Sequence, residues 1–161
     1  MSIKRVLCGL VLIALSLPAG SHADSFTALA SLSDPHVSLG QPVLASVDFA
    51  APFAAITRLC FRFTFQGDLL DPGEGLTIVP VSVGNGPGFE NVGSGPQDAR
   101  TLCVLAPDPT IPPFLDGMEQ IELAMFRGSV TIAELHVDID GTRGTVPVRR
   151  RTWGVLKTLY R

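Results

Sequence analysis

The chain has 161 residues, 46% of them hydrophobic, with 16 Gly and 13 Pro interspersed. That much apolar material excludes a disordered chain, and breakers at that density exclude long helices. A net charge of −3 excludes a broadly basic nucleic-acid binder.

In chain order, Lys4 and Arg5 precede an apolar run from Val6 to Leu17, which Pro18 and Gly20 break. Ser21-His22-Ala23 then offers a small-x-small cleavage site before Asp24. A short positive region, an apolar stretch too short to span a bilayer and a small-residue site form the pattern of an export signal. Residues 1–23 are read as a signal peptide. The mature chain is expected outside the cytoplasm, whether periplasmic, envelope-associated or extracellular. Cys8 leaves with the signal, and no transmembrane segment is expected in the mature chain.

From residue 24 to 141 the apolar residues recur with a period near two, the signature of strands. Phe26, Ala28, Ala30 and Leu32 share one face of a first strand, and Asp34-Pro35 turns the chain. Val37 to Gly40 leads into Val43 to Phe49. Ile56 to Phe65 is the clearest strand, with Leu59, Phe61, Phe63 and Phe65 on a core face and Arg58, Cys60, Arg62 and Thr64 on the other. Leu76 to Val83, a short piece at Phe89 to Val92, and Arg100 to Leu105 follow. Between them, residues 84–98 carry five Gly and read as a mobile loop. Pro107 to Pro113 is a proline-rich connection. Met118 to Phe126 and Ser129 to Ile139 close the domain, with Arg127-Gly128 read as a tight hairpin turn. On the last strand Thr131, Ala133, Leu135, Val137 and Ile139 are expected on one face, and Glu134, His136, Asp138 and Asp140 on the other. Seven to nine short strands with frequent turns indicate an all-β fold, an antiparallel β-sandwich of jelly-roll type.

Two cysteines remain after the signal, Cys60 and Cys103. In an oxidising compartment such a pair is expected to form a disulfide. Two free buried thiols, or a cysteine on a partner chain, are the alternatives that the spacing leaves open. A bridge would close a loop of roughly 44 residues, for which chain entropy gives about 4 kcal/mol before strain.

Candidate chemistry is sparse. Asp68, Asp71 and Glu74 gather in the turn after the Phe-rich strand, where three carboxylates and backbone carbonyls would suit calcium. A solvated turn, where Asp and Glu are common, accounts for them without a metal and is the favoured reading, so no cofactor is expected and calcium is the one ion to consider. Glu134, His136, Asp138 and Asp140 share a strand face, which a water-facing side accounts for without a metal. Arg58 and Arg62 read as a solvent-facing row that pairs with nearby acids. Only His36 and His136 follow the signal, and no Gly-x-Ser-x-Gly elbow is present. An enzyme is not expected.

The aromatic residues divide sharply. All nine Phe lie between residues 26 and 126, whereas the single Trp, Trp153, and the single Tyr, Tyr160, lie near the end. Sugar rings stack on half-exposed Trp and Tyr, so their absence from the body argues against a glycan platform there. Charge divides in the same way. Residues 24–148 hold five basic and 15 acidic residues, a net of −10, while residues 149–161 hold five basic residues and no acid. Residues 142–161 are accordingly read as a linker and a basic tail. Its partner-binding candidates are Arg149, Arg150, Arg151, Trp153, Leu156, Lys157 and Tyr160. A helix capped by Thr152 would place Trp153, Leu156 and Tyr160 on one face. So short a helix needs a contact to order it: the acidic body, an anionic surface, an envelope component or a sorting receptor. A terminal strand or helix folded onto the body is the alternative.

The order of export signal, sandwich, linker and compact terminal motif resembles that of bacterial surface proteins with C-terminal sorting tails. In the PEP-CTERM type, Pro-Glu-Pro, a hydrophobic span and an Arg cluster follow one another. Here Val146-Pro147-Val148 stands in place of the first, Arg149-Arg150-Arg151 comes next, and no span follows. The resemblance implies a tail used for sorting or attachment. Gly128-Ser129-Val130-Thr131-Ile132, running to Val137, resembles the closing hairpin of galactose-binding-like jelly rolls. The expected function is an exported, non-enzymatic binding or structural module. A carbohydrate- or calcium-binding module working through loops 66–75 and 84–98 is the second expectation, and a secreted hydrolase the third.

Overall fold

The computed structural model describes residues 23–144. The proposed signal and the tail candidates Arg149 to Tyr160 lie outside the described residues.

Ten strands form two antiparallel sheets packed face to face. In chain order they are β1 (Asp24–Leu29), β2 (Ser31–Leu32), β3 (His36–Ser38), β4 (Val43–Asp48), β5 (Phe53–Phe65), β6 (Gly75–Pro80), β7 (Gly88–Glu90), β8 (Ala99–Leu105), β9 (Met118–Arg127) and β10 (Ser129–Arg143). The first sheet runs β1-β10-β5-β8, with β3 also paired to β10, and the second runs β2-β4-β9-β6-β7. This is the all-β sandwich that the alternation predicts. The strand number exceeds expectation because β2 and β3 are only two and three residues long.

The core is built by the residues that alternate inward. Leu59, Phe61, Phe63 and Phe65 of β5 are buried against Ile121, Leu123 and Met125 of β9, and Val43, Ala45 and Val47 of β4 join them. Burial of this much apolar side chain, at roughly 25 cal/mol per Å², is the main stabilising term. Between β8 and β9, a single 3₁₀ turn (Pro112–Asp116) inserts Phe114 into the core, where its ring meets Phe61 edge-on at 6.1 Å.

Four local expectations are corrected. First, Arg127-Gly128 is not a hairpin. β9 pairs with β4 and β6, whereas β10 pairs with β1, β3 and β5. The two residues carry the chain from one sheet to the other, with Gly128 at φ +79°, a conformation that Gly adopts without Cβ strain. The closing hairpin that resembles galactose-binding-like domains is therefore absent. Second, β10 contains a bulge between Ile132 and Glu134. One extra residue reverses the phase. Val130 and Ile132 face the core before it and Leu135, Val137 and Ile139 after it, while Ala133 is exposed. Third, the first strand divides at Ala30. β1 pairs with β10 and β2 crosses to β4 in the other sheet; β3 then returns to β10. Fourth, Thr142 and Arg143, read as the start of a linker, continue β10, and the Gly144 N–H still bonds to the Pro52 carbonyl at 2.9 Å. Arg143 lies with its guanidinium 4.2 and 4.4 Å from the Phe26 and Phe53 ring centres and donates to the Ala51 carbonyl.

Candidate functional site

The outer face of the first sheet places the sequence-predicted Cys and Arg residues side by side. Cys60 and Cys103 are directly opposed in the β5–β8 register and form a disulfide. It lies on the outward side of the sheet, with Cys103 exposed. The bridge therefore clamps an edge strand to its neighbour and leaves the Phe-rich core untouched.

Beside the disulfide, side chains from three strands form a polar ladder. Arg58 Nε donates to Asp140 at 2.6 Å and Ser25 Oγ donates to the same carboxylate. One step along, Arg62 Nε and Thr27 Oγ1 donate to Asp138 at 2.5 and 2.6 Å. The register requires this, because β10 sits between β1 and β5 and β5 presents Arg58 and Arg62 two residues either side of Cys60. Partial burial opposes ionisation of Asp138, but the hydrogen bonds and charge of Arg62, with the Thr27 hydroxyl, hold its carboxyl below the usual range. Hydrogen bonds from Ser25 and Arg58 lower Asp140 likewise, against the charge of Asp138. The expected row of Arg–acid pairs is thus present, and it occupies two of the four groups on β10 considered as metal ligands. Of the other two, His136 Nε2 meets Glu134 at 3.1 Å. His36 Nδ1 lies 3.3 Å from Thr131 Oγ1.

The turn that carries Asp68, Asp71 and Glu74 directs two of its carboxylates, those of Asp68 and Glu74, onto the protein's own donors. Glu74 accepts from the Asp71 N–H with one oxygen and from the Ser129 N–H with the other. Asp68 accepts from the Ser129 hydroxyl. Among the described residues no three His, Cys, Asp or Glu side chains are grouped to hold a metal ion. The adjoining loop, 84–98, is pinned where the sequence suggests mobility. Asn91 is fully buried and donates to the carbonyls of Leu70 and Gly95, while its own Oδ1 accepts from the Gly93 N–H. Leu70 and Gln97 exchange backbone hydrogen bonds of 3.2 and 2.9 Å. Loops 66–75 and 84–98 are therefore one bonded unit.

Two further grooves lie on the surface of the described residues, and the sequence singles out neither. One, of about 560 Å³, is lined by Leu29, Val47, Val81 and Met118 together with Asp48, Asp116 and Glu119. The other, of about 500 Å³, is formed by Ala54 to Ile56 against Pro107, Pro109, Pro112 and Leu115. The signal for the first was the outward phase of Met118, three residues before the buried Ile121. The signal for the second was the proline-rich connection itself. Among the described residues no helix is long and apolar enough to cross a membrane. Compared with models of known protein families and with curated protein sequences, the chain matches none.

Proposed function

We propose that this chain is an exported, non-enzymatic β-sandwich module that binds or scaffolds, and that its tail, residues 149–161, attaches or sorts it. The observation that carries the reading is the Cys60–Cys103 disulfide on an exposed sheet face, because such bonds persist in oxidising compartments outside the cytoplasm. The pattern of residues 1–23 supports the same destination. Segregated charge supports the division of labour: an acidic body and a tail with five cations place unlike surfaces on one molecule. Asp138 and Asp140 are held by Arg62 and Arg58 on the protein's own sheet, which favours a scaffolding role for that face.

Fractionation tests this. Cells expressing the full chain and a form lacking residues 149–161 are separated into cytosol, envelope and medium. The expected result is export of both forms, with only the full chain retained at its destination. Identical distribution of two folded forms overturns the role of the tail, and an unprocessed cytosolic chain with reduced thiols overturns export.

A further inference from the structure

The larger groove has an apolar strip and a negative rim, and the chain ends its last strand beside it. Leu29, Val81 and Met118 line the strip and are 61, 50 and 61% exposed. For three large apolar side chains gathered in one concavity, that exposure marks an incomplete contact. Asp48, Asp116 and Glu119 form the rim, and local donors fix each in place. Asp48 accepts from the Ala50 N–H, Asp116 from the Met118 N–H, and Glu119 from the Ser82 hydroxyl and the Gln120 N–H. A carboxylate has about four lone-pair sites, so each of the three keeps some free. Among the described residues none of the three forms an ion pair with Lys or Arg. The arginines of the body are engaged elsewhere: Arg58 and Arg62 with Asp140 and Asp138, Arg143 over Phe26 and Phe53, and Arg100 over Phe89. Arg127 stands at the far end of β9 from Met118.

We propose that residues 149–161 of the same chain dock in this groove, their cations on Asp48, Asp116 and Glu119 and their Trp153, Leu156 and Tyr160 over Leu29, Val81 and Met118. Charge complementarity selects this occupant, since the segment carries Arg149, Arg150, Arg151, Lys157 and Arg161 and no acid. Reach permits it. Gly144 is bonded to Pro52, and Asp48, four residues before Pro52, is at most ~14 Å from it along an extended chain. Residues 145–148 span as much. The proline-lined groove meets the requirement less well, because it holds a single carboxylate, Asp108, where this groove holds three. The inference rests on the tail as the contact-making element and adds that its resting contact is with its own body. An external partner of the tail then competes with the groove, so attachment is self-limited.

Trp153, the single Trp of the chain, reports on the docking. With residues 24–161 intact, its fluorescence is read by emission maximum and acrylamide quenching at low and high salt. The expected result is a blue-shifted Trp153, quenched severalfold less than in the urea-unfolded chain, that becomes accessible at ~1 M salt, where screening shortens to ~3 Å. The combined Asp48→Asn, Asp116→Asn and Glu119→Gln variant keeps one accepting oxygen at each position and should release Trp153 at low salt. A Glu90→Gln, Asp98→Asn control at the opposite end should not. If the triple variant does not fold, the salt series on the unaltered chain decides the electrostatic part and Met118→Ser the apolar part. Trp153 as accessible as in the unfolded chain overturns the proposal. So does protection that survives both high salt and the triple variant, or that grows with protein concentration as docking on a second copy would. Exposed Trp153 with tail-dependent retention intact refutes the docking alone; protected Trp153 without retention refutes the attachment reading alone.

Discussion

The two sheets share one core and differ on their outer faces. On the first sheet the outward residues complete one another: Ser25 and Thr27, Asp138 and Asp140, and Arg58 and Arg62 join β1, β10 and β5, and the disulfide joins β5 to β8. On the second, Leu44, Met118 and Phe126 stand exposed, and Asp48 and Asp116 hold only neighbouring backbone N–H groups. A face whose charges are balanced within the fold has little to offer a partner. A face with apolar side chains in water beside unbalanced carboxylates has contacts still to make. The comparison teaches that the residues most conspicuous in the sequence, Cys and the paired Arg, serve the fold, whereas the less conspicuous Val81 and Met118, with Leu29 from the end of β1, leave apolar side chain exposed beside carboxylates that no Arg or Lys pairs among the described residues.

Three measurements sharpen this contrast. The largest effect belongs to the shared core. Phe63 is almost fully buried, against Phe65 and Phe89, so Phe63→Ala is expected to cost ~3–5 kcal/mol in urea unfolding. A cost below ~1 kcal/mol would mean that the first sheet does not form the core described. Next, replacing Cys60 and Cys103 together by Ser is expected to lower stability by ~2–4 kcal/mol while strand content by circular dichroism is kept, because the bridge lies outside the core. Loss of the fold would show that the outer face is not an addition to a self-sufficient core. The smallest effect concerns the ladder. Asp138 and Asp140 are held below the usual carboxyl range in the folded protein, so their contribution is complete above the unfolded value, ~3.9, and is lost as pH falls below it through the folded values. The Arg partners are about half exposed, so solvent screening limits each pair to under ~1 kcal/mol. The Asp138→Asn, Asp140→Asn variant should show a flatter decline in melting temperature below about pH 4. An unchanged acid limb would remove the ladder from the account.

Period-two alternation made much of the fold legible. β4 and β5 bury Val43, Ala45, Val47, Leu59, Phe61, Phe63 and Phe65 as their phase predicts, because each lies in a sheet with one wet face. Phase says nothing about which strand pairs with which, and that is where inference from the sequence ended. A two-residue connection at Arg127-Gly128 is compatible with a hairpin and with a crossing between sheets, and only the partners of β9 and β10 decide. The bulge at Ala133 was hidden for a related reason, since a small residue fits either side of a strand. Arg143 looked like part of a linker because its stabilising contacts, Phe26 and Phe53, lie 90 residues or more away in the chain. The disulfide was legible from the cysteine count together with the expectation of export. The carboxylate turn was legible as a cluster, but its engagement with Ser129, brought over from β10, was not. Of the larger groove, the sequence showed only the ingredients.

The position of β10 sets a schedule for assembly. It lies between β5 and the segments β1 and β3, so Asp24 and Gly141 sit opposite each other at one margin of the domain. Of the described strands, β1 is made first and its partner β10 last. The first sheet lacks its middle until nearly the whole described chain has left the ribosome, and pairings so distant in sequence are slow to close. Until then the earlier strands lack the neighbour that joins them, and the first sheet closes only once β10 is free to enter it.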